Sequence, residues 1–247
     1  MVGRAATVLT ARRREALFVA ILAGLTLYFV VAPALPDQPL WADALLTGAV
    51  LIPLVFALPL LALPLRHRRG LAAVGVAFAA LVLACELADL DVIGNFAKLA
   101  AASAVGFWFL GLFERLSWVV LVAAVIPLVD AFSVWRGPTR QIVTEQPEVF
   151  DALSFAFPVP DSGSFNLGLP DLLFFAVFLG AAARWALRVG WTWVALTASF
   201  GITMSLAVWV DPFGLGGLPA LPFLSLAFLA PNADLLWRDL RSQPAET

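Results

Sequence analysis

Residues 116–135 read LSWVVLVAAVIPLVDAFSVW. At 1.5 Å of rise per residue, a helix of this length spans about 30 Å, the thickness of a bilayer's hydrocarbon core. One ionisable group, Asp130, interrupts it. A helix half-exposed to water carries a polar face, and this stretch has none. It reads as a membrane-spanning helix with a carboxylate inside.

The same pattern recurs on both sides. Apolar stretches lie at about 16–34, 43–64, 71–88, 97–113, 169–187, 190–210 and 215–231. Across the 247 residues, 62% are hydrophobic and 13% charged, against roughly 45–50% and about 25% in an ordinary soluble domain. The expected fold is an all-α polytopic membrane protein of about eight transmembrane helices. Each must be helical, because backbone groups in lipid are satisfied only within the segment. Residues 1–115 hold four of these helices. Residues 116–247 hold the rest, with a long loop at 136–168. Arg12-Arg13-Arg14 before the first apolar stretch, and Ala32-Pro33-Ala34 after it, resemble a secretory signal. The stretch is long for that role, and Pro33 and Pro36 suit cleavage poorly, so a retained helix is expected.

Orientation follows the basic residues. With the N-terminus inside, cytoplasmic segments hold Arg4, Arg12, Arg13, Arg14, Arg66, Arg68, Arg69, Arg115, Arg184, Arg188, Arg238 and Arg241. Lys98, Arg136 and Arg140 remain outside. Both termini are therefore expected in the cytoplasm, the chain being integral to a prokaryotic plasma membrane. Trp41, Trp135 and Trp209 fall near outer stretch ends, and Trp118, Trp185, Trp191 and Trp237 near inner ones, as interfacial anchors do. A net charge of −2 without a long basic run gives no case for nucleic acid. Cys85 is the single cysteine and His67 the single histidine, which excludes disulfide frameworks and the usual Cys or His metal sites.

Most carboxylates, among them Asp37, Asp43, Glu86, Asp89, Asp91, Asp211, Asp234 and Asp239, fall at stretch ends or in loops and read as solvated. Asp130 and Asp171 differ. Counting from Arg115 to Asp130 and from Asp171 to Arg184 puts each aspartate roughly 20 Å from a cytoplasmic basic anchor. Both fall at nearly one level in the outer half of the membrane. Ionisable groups at such depth are costly and point to function. Taken singly, Asp171 also suits the first turn of a helix, and Asp130 the outer end of a short span. Gly214-Leu215-Gly216-Gly217-Leu218-Pro219-Ala220-Leu221-Pro222 shares the level, as do Gly168 and Pro170. Such density of Gly and Pro breaks helices. Broken backbone is tolerated in a membrane where it is buried in protein or lines a wet cavity; a close helix crossing would use the glycines equally well.

Val129-Asp130, Leu167-Gly168-Leu169-Pro170-Asp171 and Pro219-Ala220-Leu221 occur in that order with one helix between the last two. This arrangement resembles the presenilin and signal-peptide-peptidase family of intramembrane aspartyl proteases. That family has an aspartate in one helix, Gly-x-Gly-Asp in the next and Pro-Ala-Leu in its last. Asp130-Ala131-Phe132-Ser133-Val134-Trp135 is also similar to the segment after the first aspartate in microbial members. The resemblance covers about residues 116–231. It departs at Val129, where tyrosine is frequent, at Pro170, which replaces glycine, and in having eight helices for nine. It implies a presenilin-like bundle, with Asp130 and Asp171 catalytic. Gly168, Leu169, Pro170, Pro219, Ala220 and Leu221 would shape the site. No metal or organic cofactor is implied. The substrate would be a transmembrane segment unwound within the bilayer, and the apolar part of the outer loop, at Leu153-Ser154-Phe155-Ala156-Phe157, would pair with it as an added strand.

Two rival classes use the same residues. In a proton-coupled transporter, Asp130 and Asp171 relay protons beside broken helices. A non-catalytic presenilin-like protein would bind helices without cutting them, and Pro170 is the residue that favours it. Prepilin peptidases share the aspartate pair, but lack the terminal Pro-Ala-Leu and often carry cysteine pairs.

Overall fold

The computed structural model describes residues 2–136, 145–160, 163–209 and 218–242. Helix α1 (Val2–Val31) tightens into a 3-10 turn at Ala32–Ala34, where Pro33 and Pro36 cannot donate the bonds that would continue it. Helices α2 (Leu40–Leu46) and α3 (Ile52–Ala62) are joined through a π turn at Thr47–Leu51. Then follow α4 (Leu71–Leu87), α5 (Asp91–Leu110) and α6 (Leu116–Arg136). A short helix α7 (Pro147–Ala152) leads into strands β1 (Ser154–Pro158) and β2 (Ser164–Gly168). The chain closes with α8 (Leu169–Arg184), α9 (Val189–Trp209), α10 (Leu221–Leu229) and the amphipathic α11 (Ala233–Ser242).

Each apolar stretch expected from the sequence overlaps a helix among the described residues. Among the described residues, five helices are long and apolar enough to cross a membrane: Ala11–Ala34, Leu40–His67, Asp91–Leu110, Leu116–Trp135 and Val189–Trp209. Leu71–Leu87 is apolar but shorter. The chain is thus mostly helical, with the apolar helices of an all-α membrane protein. Trp41, Trp118, Trp135, Trp191, Trp209 and Trp237 are exposed near helix ends, where interfacial tryptophans sit.

Three expectations are corrected. The stretch placed at 97–113 begins at Asp91 and ends at Leu110. Asn95 and Lys98, near its start, are both buried against other parts of the chain. Asp43 is not solvated: it is 5% exposed on α2, which packs against the π turn and α9. The last helix starts at Leu221 rather than 215, and after Leu229 gives way to a 3-10 turn, Ala230–Asn232, containing Pro231. Residues Gly214 to Gly217 lie outside the described residues.

Phenylalanine fills the middle of the bundle. Phe56, Phe175 and Phe200 join α3, α8 and α9, with ring centroids 4.2 and 4.8 Å apart from Phe56. Phe178 of α8 stacks on Phe228 of α10 at 4.9 Å. Helices α5 and α8 approach closely because of Gly106: a Cβ there would lie 2.7 Å from the Leu173 carbonyl oxygen and 2.9 Å from Ala176 Cβ. Lipid supplies little hydrophobic force between helices, so small residues and tight packing hold them together.

The bundle has two unlike ends. At one, arginines bind helix termini: Arg184 Nη1 donates to the Leu110 carbonyl at 2.8 Å, and Arg66 Nη2 to Ala183 at 3.4 Å. Buried Asn232 donates to Thr192 and Phe228, each at 2.8 Å, and accepts from the Arg188 amide at 3.0 Å. Arg188 also makes a two-pronged ion pair with Asp234, at 2.6 and 2.8 Å. That pairing holds the Asp234 carboxyl below the usual carboxylate range. At the other end stands the β-hairpin.

Candidate active site

The hairpin occupies part of what the sequence presents as one long loop, 136–168. Strands β1 and β2 pair antiparallel, with Phe155 opposite Leu167, Ala156 opposite Asn166 and Phe157 opposite Phe165. Alternation explains it: Ser154-Phe155-Ala156-Phe157 and Ser164-Phe165-Asn166-Leu167 put aromatic and aliphatic groups on one face. Phe155 and Phe157 are fully buried. Their rings pack at 4.9 Å from one another, and Phe155 lies 5.9 Å from Phe29 of α1 and 6.2 Å from Phe96 of α5. Tyr28 Oη also donates to the Pro158 carbonyl at 3.4 Å. The hairpin is therefore seated on the end of α1 and the start of α5.

Strand β2 feeds directly into α8. Gly168 has an extended backbone, with φ −63° and ψ 146°, and Leu169 opens the helix. Pro170 sits in the first turn, where helix amides have no intrahelical acceptor, so the missing N–H leaves no bond unmade. Asp171 follows in the same turn, and its carboxylate accepts from the backbone N–H of Gly168. A Cβ on residue 168 would stand 3.3 Å from Asp171 Oδ2, so a larger residue would crowd the carboxylate.

Asp130 approaches from the last part of α6, three residues after Pro127. Its Oδ2 accepts the backbone N–H of Leu221 at 3.0 Å. That amide is free because Leu221 is the first residue of α10, after the non-helical Leu218, Pro219 and Ala220. The break in the chain thus supplies a donor to the carboxylate. Asp130 and Asp171 interact electrostatically, and both are half-buried residues. Ala220 and Leu221 are buried, Pro219 half-buried.

The structure therefore brings together the three sequence elements singled out above: Asp130, Gly168 to Asp171, and Pro219 to Leu221. No protein-family model matches the chain, and no curated protein matches it. The reading of the site rests on its own geometry.

One expectation about the loop is corrected here. The apolar stretch 153–157, expected to receive an added strand, is largely β1, and its edges are already occupied. The pattern of bonds fixes which groups point where. Val159 N–H bonds to Gly163 O at 3.1 Å, and Leu169 N–H to Leu153 O at 3.0 Å. In an antiparallel ladder, hydrogen-bonded pairs alternate with non-bonded ones. Residues 155 and 157 therefore bond across to 167 and 165, while 154, 156 and 158 present their backbone groups to the outer edge of β1. At Ala156 that edge is closed by Asn95. Asn95 Nδ2 donates to the Ala156 carbonyl at 2.9 Å, and the Ala156 amide donates to Asn95 Oδ1 at 3.0 Å. On β2, Ser164 and Asn166 face outward, and among the described residues no other strand pairs with that edge.

Sequence reasoning missed Asn95, and also Lys98. Lys98 Nζ pairs with Glu86 at 3.0 Å and donates to the Asp151 carbonyl of α7 at 3.0 Å. Asp151 Oδ1 in turn accepts from Asn166 at 3.2 Å. An amide and a lysine three residues apart lie on one helical face. Polar residues so spaced at the start of an apolar stretch were the available signal.

Proposed function

We propose that this protein is an intramembrane aspartic endopeptidase, with Asp130 and Asp171 as its catalytic pair. The observation that carries the reading is the convergence of two carboxylates from α6 and α8 with the Leu221 amide, at the point where the outer edge of β2 ends. A peptidase needs each of these parts: two acids, ordered backbone donors, and an edge to hold an extended peptide beside them.

Two like charges close together do not both ionise readily, so the pair shares one proton. The ionised carboxylate takes a proton from water as the water oxygen bonds to the scissile carbonyl carbon. The protonated carboxyl gives its proton to the carbonyl oxygen, forming a neutral tetrahedral diol. Collapse re-forms the carbonyl, breaks the C–N bond and delivers a proton to the leaving nitrogen. The Leu221 and Gly168 amides fix the two carboxylates in place. The proton belongs to the pair rather than to either residue.

The substrate is a transmembrane segment unwound into an extended strand, added to the outer edge of β2 next to Ser164 and Asn166. The scissile bond then lies beyond Gly168, beside Asp171. We place the eight apolar helices across the membrane in a presenilin-like bundle, with both termini cytoplasmic and the hairpin outside. The basic residues at the end opposite the hairpin support this orientation. Pro170 does not argue for a non-catalytic protein, since it occupies a helix position that tolerates it.

The test is incubation of the purified protein in detergent with a labelled single-span peptide, followed by mass analysis. Products cut within the apolar segment, unaffected by chelators and formed without a proton gradient, support the peptidase and exclude the transporter. An intact peptide across varied single-span sequences removes the reading.

A further inference from the structure

We infer that Asn95 is a positioning residue that sets the cleavage register, by completing the outer edge of β1 with its side chain and leaving β2 as the edge that receives substrate. This inference rests on the peptidase reading.

A side-chain carboxamide carries one acceptor and one donor group, as a residue's backbone does. Asn95 uses both on the outward-facing residue of β1, at 2.9 and 3.0 Å. It thereby stands in for one residue of a third strand. Asn95 is 8% exposed, so the bonds are shielded from water and from lipid headgroups. An unpaired strand edge invites pairing with any extended chain. Closing β1 removes the edge that lies far from Asp171 and keeps the edge that runs into it.

The contact also fixes the hairpin along its length. Lys98, on the same face of α5, holds the Asp151 carbonyl just before β1. The Ser154 hydroxyl reaches that carbonyl too, at 3.2 Å. Sliding β1 along α5 would break the Asn95 and Lys98 contacts together. Strand β2 is registered to β1, and Asp171 follows β2 within three residues. The position of α5 thus determines which substrate bond falls beside the carboxylates. Side chains alternate along a strand, so a slipped register that keeps the same residues facing the enzyme moves by about two residues.

The experiment compares wild type and Asn95→Ala on one single-span peptide, reading cut positions by mass and fitting KM and kcat separately. The expected result is a second set of cuts about two residues from the first, a several-fold rise in KM, and kcat held within about twofold. A residue that merely helped folding would lower the active fraction and leave the cut positions unmoved. Hydrogen exchange resolved to single amides decides the matter on the unaltered chain, even if Asn95→Ala does not fold. Ala156 should be protected in the free protein, and Asn166 should gain protection when peptide is added. Unmoved cut positions in a folded Asn95→Ala protein overturn the inference, as does a fast-exchanging Ala156 amide or one that gains protection on peptide addition. Absence of cutting by wild type instead overturns the peptidase reading itself.

Discussion

The two ends of this bundle solve opposite problems with similar polar atoms. At the basic end, several helix termini meet a polar partner. Arg184 binds the last carbonyl of α5, Asn232 joins α9 to the turn after α10, and Arg188 grips Asp234. At the hairpin end, carboxylates sit where helices start late or stop early, and backbone amides turn toward them. The first arrangement closes the structure. The second leaves two acids beside a strand edge that no other described strand pairs with. Polar groups within an apolar bundle are costly; the basic end offsets the cost by pairing, while the hairpin end retains it at the proposed catalytic pair.

The sharpest way to break this contrast is to remove acids from one end only. Asp130→Asn should lower cleavage by about 10²- to 10⁴-fold, the range for a lost acid–base group. The double variant with Asp171→Asn should be no slower than either single one, because residues that act as a unit give non-additive losses. Both proteins should remain folded and membrane-inserted. Kinetic assays on detergent-purified proteins of matched helicity would check this. Additive losses would separate the two aspartates.

Membrane sidedness comes next. Reporter fusions at Arg188 and Thr247 should read inside, and one at Ser162 outside. An outside signal at Thr247 would invert the assignment of the two ends.

A smaller effect tests the packing that aligns them. Gly106→Val places methyl groups where the Leu173 carbonyl oxygen and Ala176 Cβ already stand. It should destabilise the protein by about 1–3 kcal/mol, as overpacking does, and slow cleavage by moving α8 away from α5. Thermal unfolding in detergent would measure the first, and the peptide assay the second.

The smallest effect belongs to the basic end. The depressed Asp234 carboxyl contributes stability that is fully present above the ordinary carboxylate value near ~3.9 and is lost as pH falls through its lower folded value. The pair is exposed at the surface, so the loss should be local. Trp237 fluorescence should report a transition in α11 below about pH 4, and Arg188→Gln should abolish it. An unchanged transition would show that Asp234 does not anchor α11.

The sequence makes the helices legible because lipid imposes one rule on every spanning segment: the backbone satisfies itself and the side chains are apolar. The site is legible for the complementary reason, since Asp130 and Asp171 break that rule. Asn95, Lys98 and Asp43 break it too, but each lies near a helix start, where a polar residue reads as solvated. Their burial depends on the hairpin and on neighbouring helices, which sequence spacing alone does not place. The hairpin left a trace in the alternation of Phe155, Phe157, Phe165 and Leu167, but ten residues of alternation sit within a longer stretch rich in Pro, Ser and Gly. The outer edge of β1 is met by Asn95 of α5, across 61 residues of sequence. No local pattern encodes that.

In the proposed reaction, Asp130 and Asp171 together cut a peptide bond held beside β2. Its most direct test is a single-span peptide incubated in parallel with wild type and Asp171→Asn, with products read by mass. Wild type should give defined cuts within the apolar segment, and the variant should leave the peptide intact. Cutting by Asp171→Asn at the wild-type rate would contradict this, and would leave Asp171 as an ordinary acid in the first turn of α8.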